Sequence, residues 1–100
     1  MNIGKETEFI EFKKSTSETK EGLISIASIL NKHRKGNLYF GVKDNGDVIG
    51  QDIGKDTERK LSRDISDNIK PAVWYEITTR NSDDGRSFIE VAFNGSNAPY

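Results

Sequence analysis

No cysteine occurs anywhere in this 100-residue chain. That excludes a disulfide framework, a thiolate zinc site and cysteine nucleophilic catalysis. Histidine occurs once, at His33; a site needing two imidazoles is therefore excluded, and a serine–histidine–aspartate triad is disfavoured because His33 sits in a basic, loop-like stretch. No apolar run approaches the roughly 20 residues of a membrane-spanning helix, and no secretory signal pattern opens the chain. These absences point to a cytoplasmic protein with no membrane partner. Candidate chemistry falls to carboxylates and lysines.

A strong charge of one sign is also lacking. A net charge of -1 and a pI near 5.8 argue against coating nucleic acid by bulk charge, which usually needs a strongly basic domain. The distribution is less even than the total. Residues 1–43 hold eight Lys/Arg (Lys5, Lys13, Lys14, Lys20, Lys32, Arg34, Lys35 and Lys43) against five Glu, while residues 44–100 are net acidic. A basic half and an acidic half suggest one face suited to phosphate.

What is present fits one domain, long enough to fold without covalent staples. "ETEFIEFKK" (residues 6–14) reads as a strand, with Ile10 and Phe12 facing a core and Glu11 and Lys13 facing away. Glu6 can share the face of Glu11 only if the chain bends first, for which Gly4 and Lys5 leave room. "STSETKEGLISIASILNKHRKG" reads as an amphipathic helix, with a capping box of Ser15 and Glu18, apolar residues at 23, 26, 27 and 30, and Gly36 as the residue past its end. "NLYFGVKDNGDVIG" alternates into Asn45-Gly46, a strong two-residue hairpin signal. A second helix places Leu61, Ile65 and Ile69 on a narrow stripe and stops at Pro71; two further strands then point Val73, Tyr75, Ile77 and Ile89, Val91, Phe93 inward. The expected fold is α+β, a twisted, largely antiparallel sheet with two helices in the order β-α-β-β-α-β-β. One core is expected from Ile10, Phe12, Ile26, Leu30, Phe40, Val42, Leu61, Ile65, Ile89 and Val91.

"GVKDNG" (residues 41–46) has phosphate-loop glycine spacing, but Asp47 follows where a P-loop needs Lys-Ser/Thr. Nucleotide hydrolysis there is disfavoured. A two-residue turn at Asn45-Gly46 would set Asp44 opposite Asp47, where like charges destabilise a strand pair. Lys43, Lys13 or a divalent cation would offset the repulsion; alternatively both carboxylates point into water and serve the turn. "NKHRKG" places Lys32, His33, Arg34 and Lys35 in succession at a helix end. They complement the helix dipole or contact phosphate, and four in a row exceed what a cap needs. Trp74 and Tyr75 are expected in the core, with a base-stacking platform as the alternative.

Taken together, "ETEFIEFKK", the helix ending in Asn31, "GNLYFGVKDNGDVIG", "NIKP" and the terminal "NAPY" resemble the Schlafen-type AlbA domain family over the whole chain, residues 1–100. Glu6, Glu11, Phe12 and Lys13 fill its Glu-x-x-x-x-Glu-Phe-Lys frame. Gly41, Val42, Asp44, Gly46, Ile49 and Gly50 fill its Gly-Val-x-Asp-x-Gly-x-Ile-x-Gly frame, and Ile69 with Pro71 fills its Ile-x-Pro. The sequence departs at the paired glycines after the first helix, the first of which is Lys35 here. The resemblance implies a nucleic-acid-binding module of a bacterial regulator-like protein, truncated at its C-terminal end, with further domains following and a homodimer compatible with it. DNA is the expected ligand ahead of RNA, held by Lys14, Lys32, Arg34, Lys35 and Lys43. In the Schlafen branch a related domain cleaves RNA with three carboxylates. The matching positions are Glu6, Glu11 and Asp44, beside Lys13, so the alternative is a metal-dependent endoribonuclease with Mg or Mn on those three. A protein-interaction or assembly module is a further alternative.

Overall fold

The computed structural model describes residues 1–96 and 98–100. Strand β1 (Ile10–Lys13) leads through a short 3-10 turn, Thr16–Glu18, into helix α1 (Thr19–His33). Then follow β2 (Lys35–Phe40), α2 (Thr57–Asn68), β3 (Trp74–Asn81) and β4 (Ser87–Asn94). The sheet order is β1-β2-β4-β3, with β1 parallel to β2 and the other pairs antiparallel. This is the expected α+β fold in the expected order. The return arm of the predicted hairpin is reduced to a single bridge between Val42 and Val48. Among the described residues no helix is long and apolar enough to cross a membrane.

The start of α1 is built from short polar residues that accept from backbone N–H groups otherwise left orphaned. Ser15 Oγ accepts from the N–H of Ser17 at 3.2 Å, and the Glu18 carboxylate reaches back to the N–H of Lys14 at 3.0 Å. The capping pattern therefore fronts the 3-10 turn, and the α-helix follows it.

The helix ends two residues earlier than Gly36 would place it. Arg34 takes the left-handed conformation at φ 70° and its N–H bonds to Leu30 O, while Gly36 lies within β2. Gly36 is needed for a different reason. A Cβ there would come within 2.6 Å of Phe9 O and 2.7 Å of Ile29 Cγ2, so only glycine lets β1, α1 and β2 meet. Lys35, at the position of the family's first paired glycine, is ordinary extended strand and carries no backbone strain.

One expected core is two, divided by the sheet. Ile26, Ile29 and Leu30 of α1 and Leu61 and Ile65 of α2 pack with Leu38, Phe40, Ile89, Val91 and Phe93. Phe12, Val42, Val48 and Phe88 form a smaller cluster with Ile3, Ile10 and Tyr39. Neighbouring residues of one strand fall in different clusters (Tyr39 against Leu38 and Phe40, Phe88 against Ile89), so these are opposite faces. Val42 continues the alternation of Leu38 and Phe40 in sequence yet joins the other face. Gly41, at φ +94°, reverses the side-chain sense between them.

Among the described residues the opposite face is covered only at one end. Met1–Ile3 lies against the 43–48 turn, with Ile3 N–H bonded to Gly46 O at 2.9 Å and Val48 N–H to Met1 O at 2.9 Å. Towards the other end of β2 the face is open and displays Lys35, Asn37 and Trp74.

Candidate nucleic-acid interface and carboxylate pair

The expected turn centred on Asn45-Gly46 is displaced by one residue. Gly46 N–H bonds to Lys43 O at 2.8 Å and Lys43 N–H to Asp47 O at 2.9 Å. Asp44 and Asn45 are therefore the central residues, and Gly46, at φ +92°, takes the bulge position of a glycine-bulge hairpin. Asp44 does not face Asp47, and the anticipated repulsion does not arise. Asp47 instead accepts from the side-chain amides of Asn2 at 2.8 Å and Asn45 at 3.2 Å. The Asn2 contact above all, with Asn45 and the charge of Lys43, holds its carboxyl below the ordinary value.

Glu6 does reach Glu11, by a bend later than Gly4-Lys5. Thr7 and Ile10 exchange backbone hydrogen bonds of 3.1 and 3.4 Å, which doubles the chain back at Glu8-Phe9. The Glu6 carboxylate then lies along the free edge of β1 and accepts from the N–H of Phe12 at 3.1 Å. It satisfies an edge donor and shields it from pairing with another chain.

Glu11 faces a groove between β1 and α1, lined also by Thr7, Glu8, Ser28, Lys32 and His33. Burial foremost, then a hydrogen bond with Glu6 and the charge of Glu6, raise its pKa. Lys13 opposes the rise and Asp44 adds a smaller repulsion. Glu6 is thus the nearer carboxylate acting on Glu11, while Asp44, on an exposed turn, acts on it less. Among the described residues no three His, Cys, Asp or Glu side chains are close enough together to hold a metal ion. Glu6 and Asp44 both act on Glu11, but Glu6, Glu11 and Asp44 do not form such a group, and as arranged they do not fit Mg or Mn, whose dehydration needs convergent oxygens.

The basic residues divide along β2. Lys13 is aligned with Phe40, and Lys14 and Lys43 follow at that end, whereas Lys35 begins the strand. Six residues of strand separate the two groups by about 17 Å. Lys32 points into the groove with Glu8 and Glu11. His33 lies 3.7 Å from Glu8 and stacks on Phe9 with ring centroids 4.4 Å apart. Arg34 and Lys35 are exposed.

Trp74 is 53% exposed, contrary to the expected core position, while Tyr75 packs against the core and bonds Ser62 Oγ at 2.7 Å. The alternation that turns Tyr75 and Ile77 inward already turned Trp74 outward, and that was the signal for it. A polar network on the same face had no such signal. Glu90 receives hydrogen bonds from Asn37 at 3.0 Å, Tyr39 at 3.1 Å and Arg80 at 3.3 Å. Burial, together with the Glu90 charge and hydrogen bond, pushes the Tyr39 hydroxyl up to about 12.

With this geometry in view, comparison with known proteins is decisive on one point. The family described as Schlafen, AlbA_2 matches over residues 6–100. The chain belongs to the Schlafen AlbA_2 family. No curated protein matches it. The AlbA_2 frame gains a physical basis from two of its parts. Asn31 accepts from the N–H of Tyr100 at 2.8 Å and donates to Tyr100 O at 3.4 Å, so the Asn of the first helix ties down the terminal "APY". Asn97 of "NAPY" lies outside the described residues. Membership of the AlbA_2 family is compatible with nucleic-acid binding.

Proposed function

We propose that this domain binds nucleic acid, DNA ahead of RNA, as one module of a longer regulator-like protein that works as a homodimer. The observation that carries the reading is the position of Arg34 and Lys35. Lys32 and His33 occupy the last turn of α1, where cations complement the macrodipole. Arg34 caps that turn and Lys35 lies beyond it, both exposed, and four cations in succession exceed what the dipole needs. Arg34 moreover holds a left-handed conformation that glycine would adopt with less strain. Cations displayed so, at the uncovered end of a sheet face, suit phosphate contacts. No group of three His, Cys, Asp or Glu side chains close enough to hold a metal ion is found among the described residues, which favours binding over metal-dependent cleavage.

Fluorescence polarisation of labelled DNA and RNA tests it, with and without Mg or Mn and across a salt series, the products being checked on a gel. Binding that weakens steeply with salt and leaves the strands intact is expected. Absence of binding at about 50 mM salt, where phosphate contacts are strong, or metal-dependent cleavage, would remove this reading.

A further inference from the structure

The binding reading leaves open which form of nucleic acid the domain takes, and the surroundings of Trp74 bear on it. Trp74 and Lys35 both line two adjoining depressions. One is completed by Phe9, Gly36, Asn37, Ala92, Phe93 and Asn94. The other brings in His33, Arg34, Val73 and Gly95. The indole is therefore a ridge with an aromatic hollow on one side and a cationic one on the other.

The register sets the scale. Trp74 pairs with Asn94, which pairs with Lys35, placing Lys35 two strands from the tryptophan, about 10 Å away. Phe9 is 42% exposed with its ring packed against that of His33, and Trp74 projects from strand β3 beside it. The rest of the open face is unsuited to phosphate. Glu76 follows Trp74 on the same side of β3, and Glu90 is already engaged by Asn37, Tyr39 and Arg80. On this open part of the face, the cations available to a polyanion are those beside Trp74, Arg34 and Lys35.

From this arrangement we infer that the ligand is single-stranded, with an unpaired base stacked on Trp74 and its backbone phosphates on Arg34 and Lys35. The inference rests on the nucleic-acid reading above. A duplex keeps its base faces inside the stack and has nothing to offer an exposed indole, whereas an unpaired base stacks on an aromatic side chain whatever its identity. The charge of the rim and the apolar ridge are thus both used only by a single strand.

Trp74 is the sole tryptophan, so intrinsic fluorescence reports on this position alone. Oligo(dT), oligo(U) and a loop-free duplex annealed from two complementary strands are titrated into the chain while emission is followed, and labelled versions of the same strands give affinities by polarisation. Single strands should quench Trp74 and bind more tightly than the duplex, with oligo(dT) and oligo(U) resolving the sugar preference. Trp74→Ala should weaken single-strand binding about 5- to 100-fold, and Trp74→Phe should restore most of it. Since the indole is half-exposed, both variants should keep the wild-type circular dichroism. Duplex binding at least as tight as single-strand binding, unchanged emission at saturation, or Trp74→Ala binding like wild type would overturn the inference and leave the nucleic-acid reading standing. Failure of every strand to bind would overturn both.

Discussion

Helix α1 lies so close to the sheet that Gly22 and Phe40 should be energetically coupled. Phe40 is fully buried in the larger core, and removing a buried phenyl ring costs about 3–5 kcal/mol. That is a large part of the 5–15 kcal/mol typical of a whole domain, so Phe40→Leu, at about 1–1.5 kcal/mol, is the safer background for a cycle. A Cβ on Gly22 would sit 3.0 Å from both Phe40 Cζ and Leu38 Cδ2. Gly22→Ala alone sets a helix-propensity gain of about 1 kcal/mol against that crowding, and should be neutral or destabilising. With Phe40→Leu the ring edge is gone and only the Leu38 methyl still crowds the added Cβ, so the same Gly22→Ala should be more favourable than in the wild-type background by a part of that roughly 1 kcal/mol. Urea denaturation of the four proteins, with the slope checked for constancy, measures the coupling. Equal effects of Gly22→Ala in both backgrounds would show that the helix stands farther from β2 than described, and a Phe40→Ala cost under about 1 kcal/mol would put the ring at the surface.

Glu6→Gln should lower the pKa of Glu11, read by carboxyl carbon NMR, but leave it above the ordinary value because burial is the largest cause of its rise. The sign for stability follows: a raised folded pKa means that ionising Glu11 subtracts stability as pH climbs from 4.5 through the folded value, and Glu6→Gln should reduce that loss. An unmoved Glu11 titration would separate the two carboxylates. Gly46→Ala should cost roughly 3 kcal/mol or more by urea denaturation, since its φ is +92° and a Cβ there would strike the Gly4 carbonyl. A cost below about 1 kcal/mol would mean that Met1–Gly4 does not rest on the turn.

Much of this fold was legible in the chain because it depends on local periodicity. The apolar spacing of α1 and α2 and the inward sets of β3 and β4 follow from side-chain repeats that the structure keeps. What could not be read depends on pairings made across the chain. Phe12 looks equivalent to Leu38 and Phe40, and only its register against Tyr39 shows that it packs on the other face. Gly36 looks like a helix terminator because the contact that requires glycine, with Phe9 O, comes from 27 residues earlier. The proximity of Glu6 and Glu11 came through family resemblance, and the bend that produces it rests on two backbone hydrogen bonds between Thr7 and Ile10. Asn45-Gly46 was a sound turn signal with its centre misplaced, since a bulge glycine and a two-residue turn share the same dipeptide. Trp74 was obscured by the general preference of strand aromatics for the core.

The most direct test of the account is the salt dependence of binding for the wild-type chain and for Arg34→Gly combined with Lys35→Ala. Glycine suits φ 70° better than arginine, so the double variant should unfold no more easily than wild type in urea. Each lost phosphate contact on a single strand removes about 0.7 from the slope of log K against log salt. Weaker binding and a slope shallower by about 1.4 are expected, with stability intact. An unchanged slope in a stably folded variant would assign Arg34 and Lys35 to the chain's own architecture and contradict the interface.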